Sequence, residues 1–248
     1  MSTFSDYFSQ SAARYAEFRP GYPLALFEWL AGVVRGHARA WDCGTGSGQA
    51  AVGLAVYFDE VIATDPSHAQ LSHAATDRRV HYAAMTAESA ALRHASVDLV
   101  TVAQALHWFD LRRFYGEVER VLTPVGSLAV WTYGLISVTP EIDALVGTFY
   151  KETLRGYWPP ERALVDAGYS GIEFPFHERT VPKLEMEKNW TLPKLSCYLN
   201  TWSAVTRYRK THGESPVGQL VAALRPLWGE GDTARRVTWP LELRVGSV

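Results

Sequence analysis

Sulfur is scarce in this chain and long apolar runs are missing, and each shortage removes a class of protein. Two cysteines in 248 residues, Cys43 and Cys197, cannot build the disulfide framework of a small secreted domain. Cys43 reads as a small buried filler rather than a reactive thiol. No stretch of about eighteen apolar residues occurs, so no membrane span is expected. The opening Met-Ser-Thr-Phe-Ser-Asp has neither the basic nor the apolar region of a signal peptide, and a soluble cytoplasmic protein is the expectation. The histidines fall outside metal-ligand spacing, and no metal is expected. No Gly-x-Ser-x-Gly elbow offers an activated serine. A surplus of positive charge is lacking too: 24 Lys and Arg against 26 Asp and Glu leave a net charge of −2, with the signs interspersed. That balance gives nucleic acid no electrostatic footprint.

What remains suits one α/β unit with additions. Apolar runs near 38–43, 60–65, 80–84, 97–103 and 127–133 alternate with helical patterns, the first helix carrying Leu24, Phe27, Leu30 and Val34 behind Pro23. The alternation predicts a Rossmann-like, mostly parallel sheet with helices on both faces. Two further strands are expected at 172–181 and 237–245, which makes seven. In the last, Val237, Trp239, Leu241, Leu243 and Val245 share a face, which fits a strand at the sheet's edge side. A helix follows Pro140, with Ile142, Leu145, Val146, Phe149 and Tyr150 as its stripe. Residues 193–228 read as two more helices. A single domain over 1–248 is therefore expected, with an N-terminal lid and first helix to residue 35 and a ligand-binding core over 36–134. Helical cap insertions at 135–158 and 183–236 complete it.

The most informative segment is Trp41-Asp42-Cys43-Gly44-Thr45-Gly46-Ser47-Gly48-Gln49. Glycines at 44, 46 and 48 allow a sharp turn and a close ligand approach. Val61-Ile62-Ala63-Thr64-Asp65 then ends a second strand on an acid, in reach of a ribose diol. The dinucleotide fingerprint needs its third glycine at position 49, which is Gln49. Asp42 beside the loop also suits a pyrophosphate poorly and a cation well.

Asp42-x-Gly44-x-Gly46-x-Gly48 resembles the first motif of class I S-adenosylmethionine-dependent methyltransferases, whose cofactor carries a sulfonium and an ammonium. Asp65, next to Pro66, matches the family's ribose-binding acid. Met85-Thr86-Ala87-Glu88 follows the third strand, where the family often has Asp-Ala-Glu beside the adenine. Thr86 stands where that acid would, and the backbone at Ala87 and Glu88 keeps its contacts. Gln104-Ala105-Leu106-His107-Trp108-Phe109 and the early Tyr15-Ala-Glu-Phe-Arg19-Pro-Gly-Tyr22-Pro look like the small-molecule branch that includes trans-aconitate methyltransferase-like proteins. The resemblance implies that the last strand runs antiparallel, with S-adenosyl-L-methionine as cofactor, S-adenosyl-L-homocysteine as product and a small-molecule acceptor.

Gln104, His107 and Trp108 lie past the fourth strand, near the point where strand order reverses and ligands bind in open sheets. Gln104 is placed with the cofactor, His107 and Trp108 with the substrate. The plainer alternative is that Trp108 and Phe109 plug the core while His107 caps the next helix. His107 becomes the first candidate general base if the acceptor is a phenol, hydroxyl or carbon acid, whereas a carboxylate needs none. Tyr15 or Arg19 could approach the methionine carboxylate, or Arg19 could pair with a surface acid. Trp131, Tyr133, Tyr157, Trp158, Tyr198 and Trp202 are the aromatics that could line the cap; Trp131 and Tyr133, at the end of strand five, are expected as pocket walls, with Trp202 also placed at the substrate. Arg207, Arg209 and Lys210 could attract an anionic substrate, and a solvated helix end is the plainer reading. Two other functions remain open from the sequence: a catalytically inactive partner that keeps cofactor affinity, and a nicotinamide-dependent oxidoreductase. Acceptor and oligomeric state are not legible.

Overall fold

The computed structural model describes residues 18–230 and 232–248. Strands β1 (Arg39–Cys43), β2 (Glu60–Thr64), β3 (Val80–Ala83), β4 (Val97–Ala103) and β5 (Leu122–Tyr133) pair in parallel, in the order β3-β2-β1-β4-β5. Their centres are apolar on both faces because helices cover both. Leu99, Val100, Val102, Leu128, Ala129 and Val130 have no exposed surface. The order reverses between β1 and β4, so their carboxyl ends flank a crevice.

Two cores result, one per face. Helices α1 (Leu24–Val33), α2 (Gln49–Leu54) and α5 (Pro140–Thr148) share one with α7 (Leu192–Leu199), α8 (Ser203–His212) and α9 (Val217–Trp228). The other face holds α4 (Leu111–Val121) with Val165, Tyr169, Ile172, Phe174 and Phe176. Helix α4 is strongly amphipathic, burying Phe114, Tyr115, Val118 and Val121, and Asp110 caps its first turn at Arg113. Short helices α3 (His68–Leu71) and α6 (Arg162–Asp166) complete the helical set described. None of these helices is long and apolar enough to cross a membrane.

The antiparallel side is larger than the sequence suggests. Strand β8 (Arg235–Ser247) runs antiparallel to β5, Tyr133 opposite Leu241 and Ser127 opposite Ser247, and its expected face is buried. Its other edge is covered by β7 (Leu184–Trp190) and by a two-residue β6 (His177–Glu178), so the sheet has eight strands rather than seven. The strand expected at 172–181 shrinks to β6. Phe174 and Phe176 do alternate, but both rings pack on Tyr115 at 6.4 and 5.6 Å, and Pro175 between them has no N–H to give a ladder. Residues 184–190, expected within a helical insertion, form β7. Their strand period is hidden by Glu185 and Glu187, which lie exposed and paired with Arg236 at 2.5 and 2.8 Å. The expected first helix of 193–228 is two. Asn200 and Thr201 turn their side chains onto the carbonyls of Ser196 and Tyr198 and end α7 there, and Trp202 caps α8. Helix α5 continues into a π-helical turn, Phe149–Thr153.

Candidate active site

The glycine turn is built around two aspartates with different duties. The N–H groups of Gly44 and Thr45 both donate to the carbonyl of Thr64, tying the turn to the end of β2. Gly44 has φ +70°, and a Cβ there would lie 2.7 Å from that of Ala105 and 3.1 Å from the Phe109 ring. Only glycine lets the turn sit this close to the segment after β4. Gly46, at φ +55°, has open space where its Cβ would be, which is the face a ligand can approach. Asp65 holds that face in place: its two oxygens accept the backbone N–H of Gly46 at 3.0 Å and of Ser67 at 2.8 Å.

Asp42 lies beneath, fully buried. One oxygen accepts from the Thr45 hydroxyl at 2.5 Å and the other from the Thr101 hydroxyl at 2.8 Å. Burial pushes its carboxyl up to about 6 against the two hydroxyl bonds, which act the other way. Asp42 does not line the cavity, and neither does Gly48. Gly48 instead caps α2 under Tyr82, and Asp42 shapes the turn through Thr45.

A second network stands across the crevice. Gln104 has a left-handed backbone, φ +57°, and its side chain closes the end of β5: Oε1 accepts the N–H of Tyr133 at 3.0 Å while Nε2 donates to the Tyr133 carbonyl at 3.2 Å. The Thr132 hydroxyl also donates to Oε1. Tyr169 has φ +60° and places its hydroxyl 2.8 Å from Nδ1 of His107. Strained backbone of this kind costs on the order of 1–3 kcal/mol per residue and survives only where surrounding contacts enforce it. A phenol hydroxyl donates readily to an imidazole nitrogen, so the Tyr169 proton is assigned to Nδ1 and the His107 proton to Nε2. Burial, helped by the nearby Arg162 charge, lowers the His107 pKa to about 3. His107 is therefore neutral and a weak base. Its ring lies 4.6 Å from that of Trp108.

These pieces border one cavity of about 500 Å³ at the carboxyl ends of β1, β2 and β4, within the range of small-molecule sites. Of the residues singled out from sequence, the structure brings Arg19, Gly44, Gly46, Asp65 and Pro66 to its wall, with Thr86, Ala87 and Glu88 beyond them. Gln104, His107, Trp108 and Trp202 line it as well. Glu88 is fixed by accepting the N–H of Asp110 at 3.0 Å. Arg19 donates to the Tyr133 hydroxyl at 2.9 Å and lies over the Tyr198 ring. Tyr15 falls outside the described residues.

Trp131 and Tyr133 are not walls. Odd positions of β5 face the α1-side core, where Trp131 is fully buried with its ring 5.3 Å from Tyr22. The aromatic wall comes instead from Trp158 and Trp202, 5.6 Å apart, with Arg162 and Val165 beside them. Sequence reasoning had Trp158 only among general cap aromatics and missed Phe109 as a wall and Arg162 altogether. Phe109 was legible as the neighbour of Trp108, but Arg162 carried no motif. Among the described residues no three His, Cys, Asp or Glu side chains stand together as a metal site.

Residues 41–130 match the model of a methyltransferase domain. A protein of Dictyostelium discoideum named as a methyltransferase is 36% identical over 229 residues, covering 89% of this chain and 86% of that one. The chain belongs to the class I S-adenosylmethionine-dependent methyltransferases. A Saccharomyces cerevisiae protein named as an S-adenosylmethionine-dependent methyltransferase is 34% identical over 131 residues, 49% of this chain and 45% of its own. A solved structure from Anaeromyxobacter dehalogenans, described as a type II methyltransferase, is 47% identical with a TM-score of 0.87, covering 93% of this chain and 98% of that one. The narrower likeness to trans-aconitate methyltransferase-like proteins rests on the sequence motifs alone.

The residues present fit this cofactor. The open face of Gly46, the Asp65 carboxylate at the end of β2 and the Thr86–Glu88 segment border one continuous space. Asp65 offers carboxylate oxygens to a diol at the end of β2, and Ala87 and Phe109 give the same space an apolar lining that suits a flat base.

Proposed function

We propose that this methyltransferase methylates an oxygen of a small molecule, and that a carboxylate is the preferred acceptor. When bound, S-adenosylmethionine supplies the methyl group and its own leaving group, so the protein needs no covalent intermediate and transfer is direct and in line. The residues of the cavity then have three tasks. Asp65 and the glycine turn hold the nucleoside. The Trp108, Trp158 and Trp202 rings exclude water, and Trp108 offers a face to a cation. Orientation of the acceptor supplies the rest, and positioning of this kind can contribute up to roughly 7–11 kcal/mol in the best-oriented systems.

The observation that carries the carboxylate reading is the state of His107. Its Nδ1 is held by Tyr169 and its pKa is lowered to about 3, so at neutral pH it is a poor base for a hydroxyl proton. A carboxylate arrives already ionised. A hydroxyl acceptor is the second reading, and Glu161 favours it: this cavity residue has a buried Oε2 without a hydrogen-bond partner, which a hydroxyl proton would fill.

The deciding experiment is calorimetric titration with S-adenosylmethionine, S-adenosylhomocysteine and NADH, followed by methyl-transfer screening of carboxylic acids and phenols. Binding of the first two but not NADH, with esters formed from acids, supports the reading. Cofactor binding with turnover on no acceptor would point to the inactive partner protein. Transfer confined to phenols or alcohols would replace the carboxylate.

A further inference from the structure

The cap side of the cavity contains a cation that the cofactor reading leaves unused. Arg162 opens α6 and lines the cavity, its side chain mostly buried at 18% exposure. Its Nε donates to the Tyr150 hydroxyl at 2.7 Å and to Asp166 at 3.0 Å. Among the described residues, Nη1 and Nη2 make no hydrogen bond. The guanidinium lies over two rings, 5.0 Å from the Trp158 centroid and 5.3 Å from that of Tyr150. Those rings are themselves fixed. Trp158 donates to the Tyr150 carbonyl at 3.1 Å, and Trp202 packs against both at 5.6 and 5.9 Å. The inner edge of the guanidinium is thus pinned and its outer fork is left for a ligand.

We propose that Arg162, laid across Tyr150 and Trp158, anchors a carboxylate on the acceptor, so that the enzyme selects small acids with a flat apolar body. A planar fork with two parallel N–H donors matches a carboxylate and gives both affinity and orientation. Partial burial strengthens the pair relative to a surface ion pair. The aromatic shelf supplies the apolar half of the match, with Trp158 and Trp202 as walls for the body of the ligand. Arg162 lines the same cavity as His107 and Trp108, and its short helix packs on the turn that carries them, which places the anchor beside that network. The other cations near the site are engaged elsewhere or lie at its rim: Arg19 is on Tyr133 and Tyr198, and Arg113 is exposed on the first turn of α4. Glu161, adjacent in sequence and also in the wall, opposes an anion and would instead favour an amine, so it gives the competing outcome.

This inference rests on the methyl-transfer reading of the same cavity, and the test separates the two. The protein is saturated with S-adenosylhomocysteine at pH 7.5 and titrated with benzoate, trans-cinnamate, indole-3-acetate and octanoate. Each is compared with its neutral amide, and benzylamine serves as the cation. At least one acid is expected to bind about tenfold or more tightly than its amide, the range expected for a charge-assisted hydrogen-bonded pair. In Arg162→Gln that ratio should fall to within about twofold while S-adenosylhomocysteine affinity stays the same. Arg162→Lys keeps the charge but not the fork. It serves if the glutamine variant does not fold, and its ratio should drop at least about threefold. No acid preferred over its amide, benzylamine preferred over benzoate, or a preference that survives in both variants would overturn the proposal. Failure of S-adenosylhomocysteine itself to bind would strike the cofactor reading first.

Discussion

Asp42 lends itself to a quantitative test because its burial and its partners are both plain. The carboxylate is fully buried, accepts two threonine hydroxyls, and titrates near 6 instead of 3.8. At about 1.36 kcal/mol per pH unit, that difference is on the order of 3 kcal/mol. The sign follows from proton linkage. Between pH 3.8 and about 6 the folded chain binds more protons at this site than the unfolded chain does. Stability from this group is therefore full below pH 3.8, declines as pH rises towards 6, and is lost above. Asn is close to the protonated side chain in shape and does not ionise. Urea unfolding of the protein and of Asp42→Asn at pH 4.5 and 7.5 isolates the effect, since other titrating groups are common to both. The stability of the variant relative to the parent should improve by about 2 kcal/mol between the two pH values. A relative stability that is constant to about 0.5 kcal/mol, or that worsens as pH rises, would show that Asp42 is not held as a desolvated carboxylate.

Other outcomes follow from the same geometry. Gly44→Ala forces a Cβ to 2.7 Å from Ala105 in a left-handed backbone, and a loss on the order of 2–4 kcal/mol is expected from overpacking and strain together, read as a fall in thermal midpoint with loss of cofactor binding. Asp65→Ala releases the Gly46 and Ser67 N–H groups, so S-adenosylmethionine titration should show at least about a tenfold weaker complex in a chain that remains folded. Because His107 titrates near 3, kcat/KM on a carboxylate acceptor should show no inflection between pH 5 and 8 that His107→Gln removes. A limb near pH 6.5 that vanishes in that variant would restore His107 as the base.

The parts of this protein that the sequence determined are local in origin. A strand, a turn that only glycines can make, and an acid at the end of the next strand are fixed within some twenty-five residues, and their spacing carries chemical meaning without any knowledge of the rest. The parallel core was legible for the same reason: strands buried on both faces read as continuous apolar runs. What the tertiary structure decided concerns which face a side chain ends on. Trp131 and Tyr133 stand at the end of β5, as expected, but strand parity turns both into the helix-covered core. Asp42 sits in the glycine motif, yet Thr101, fifty-nine positions away, takes one of its oxygens and removes it from the cavity wall. Strand β7 hid behind glutamates whose partner, Arg236, lies far along the chain. Arg162 shows this dependence most fully. No motif surrounds it, and it reaches the cavity wall because a π-helical turn, a short helix and rings from Tyr150, Trp158 and Trp202 carry it there. Local sequence sets the glycine turn and the acid after the next strand. The far wall of the cavity is assembled from distant segments, and only their packing brings its residues together.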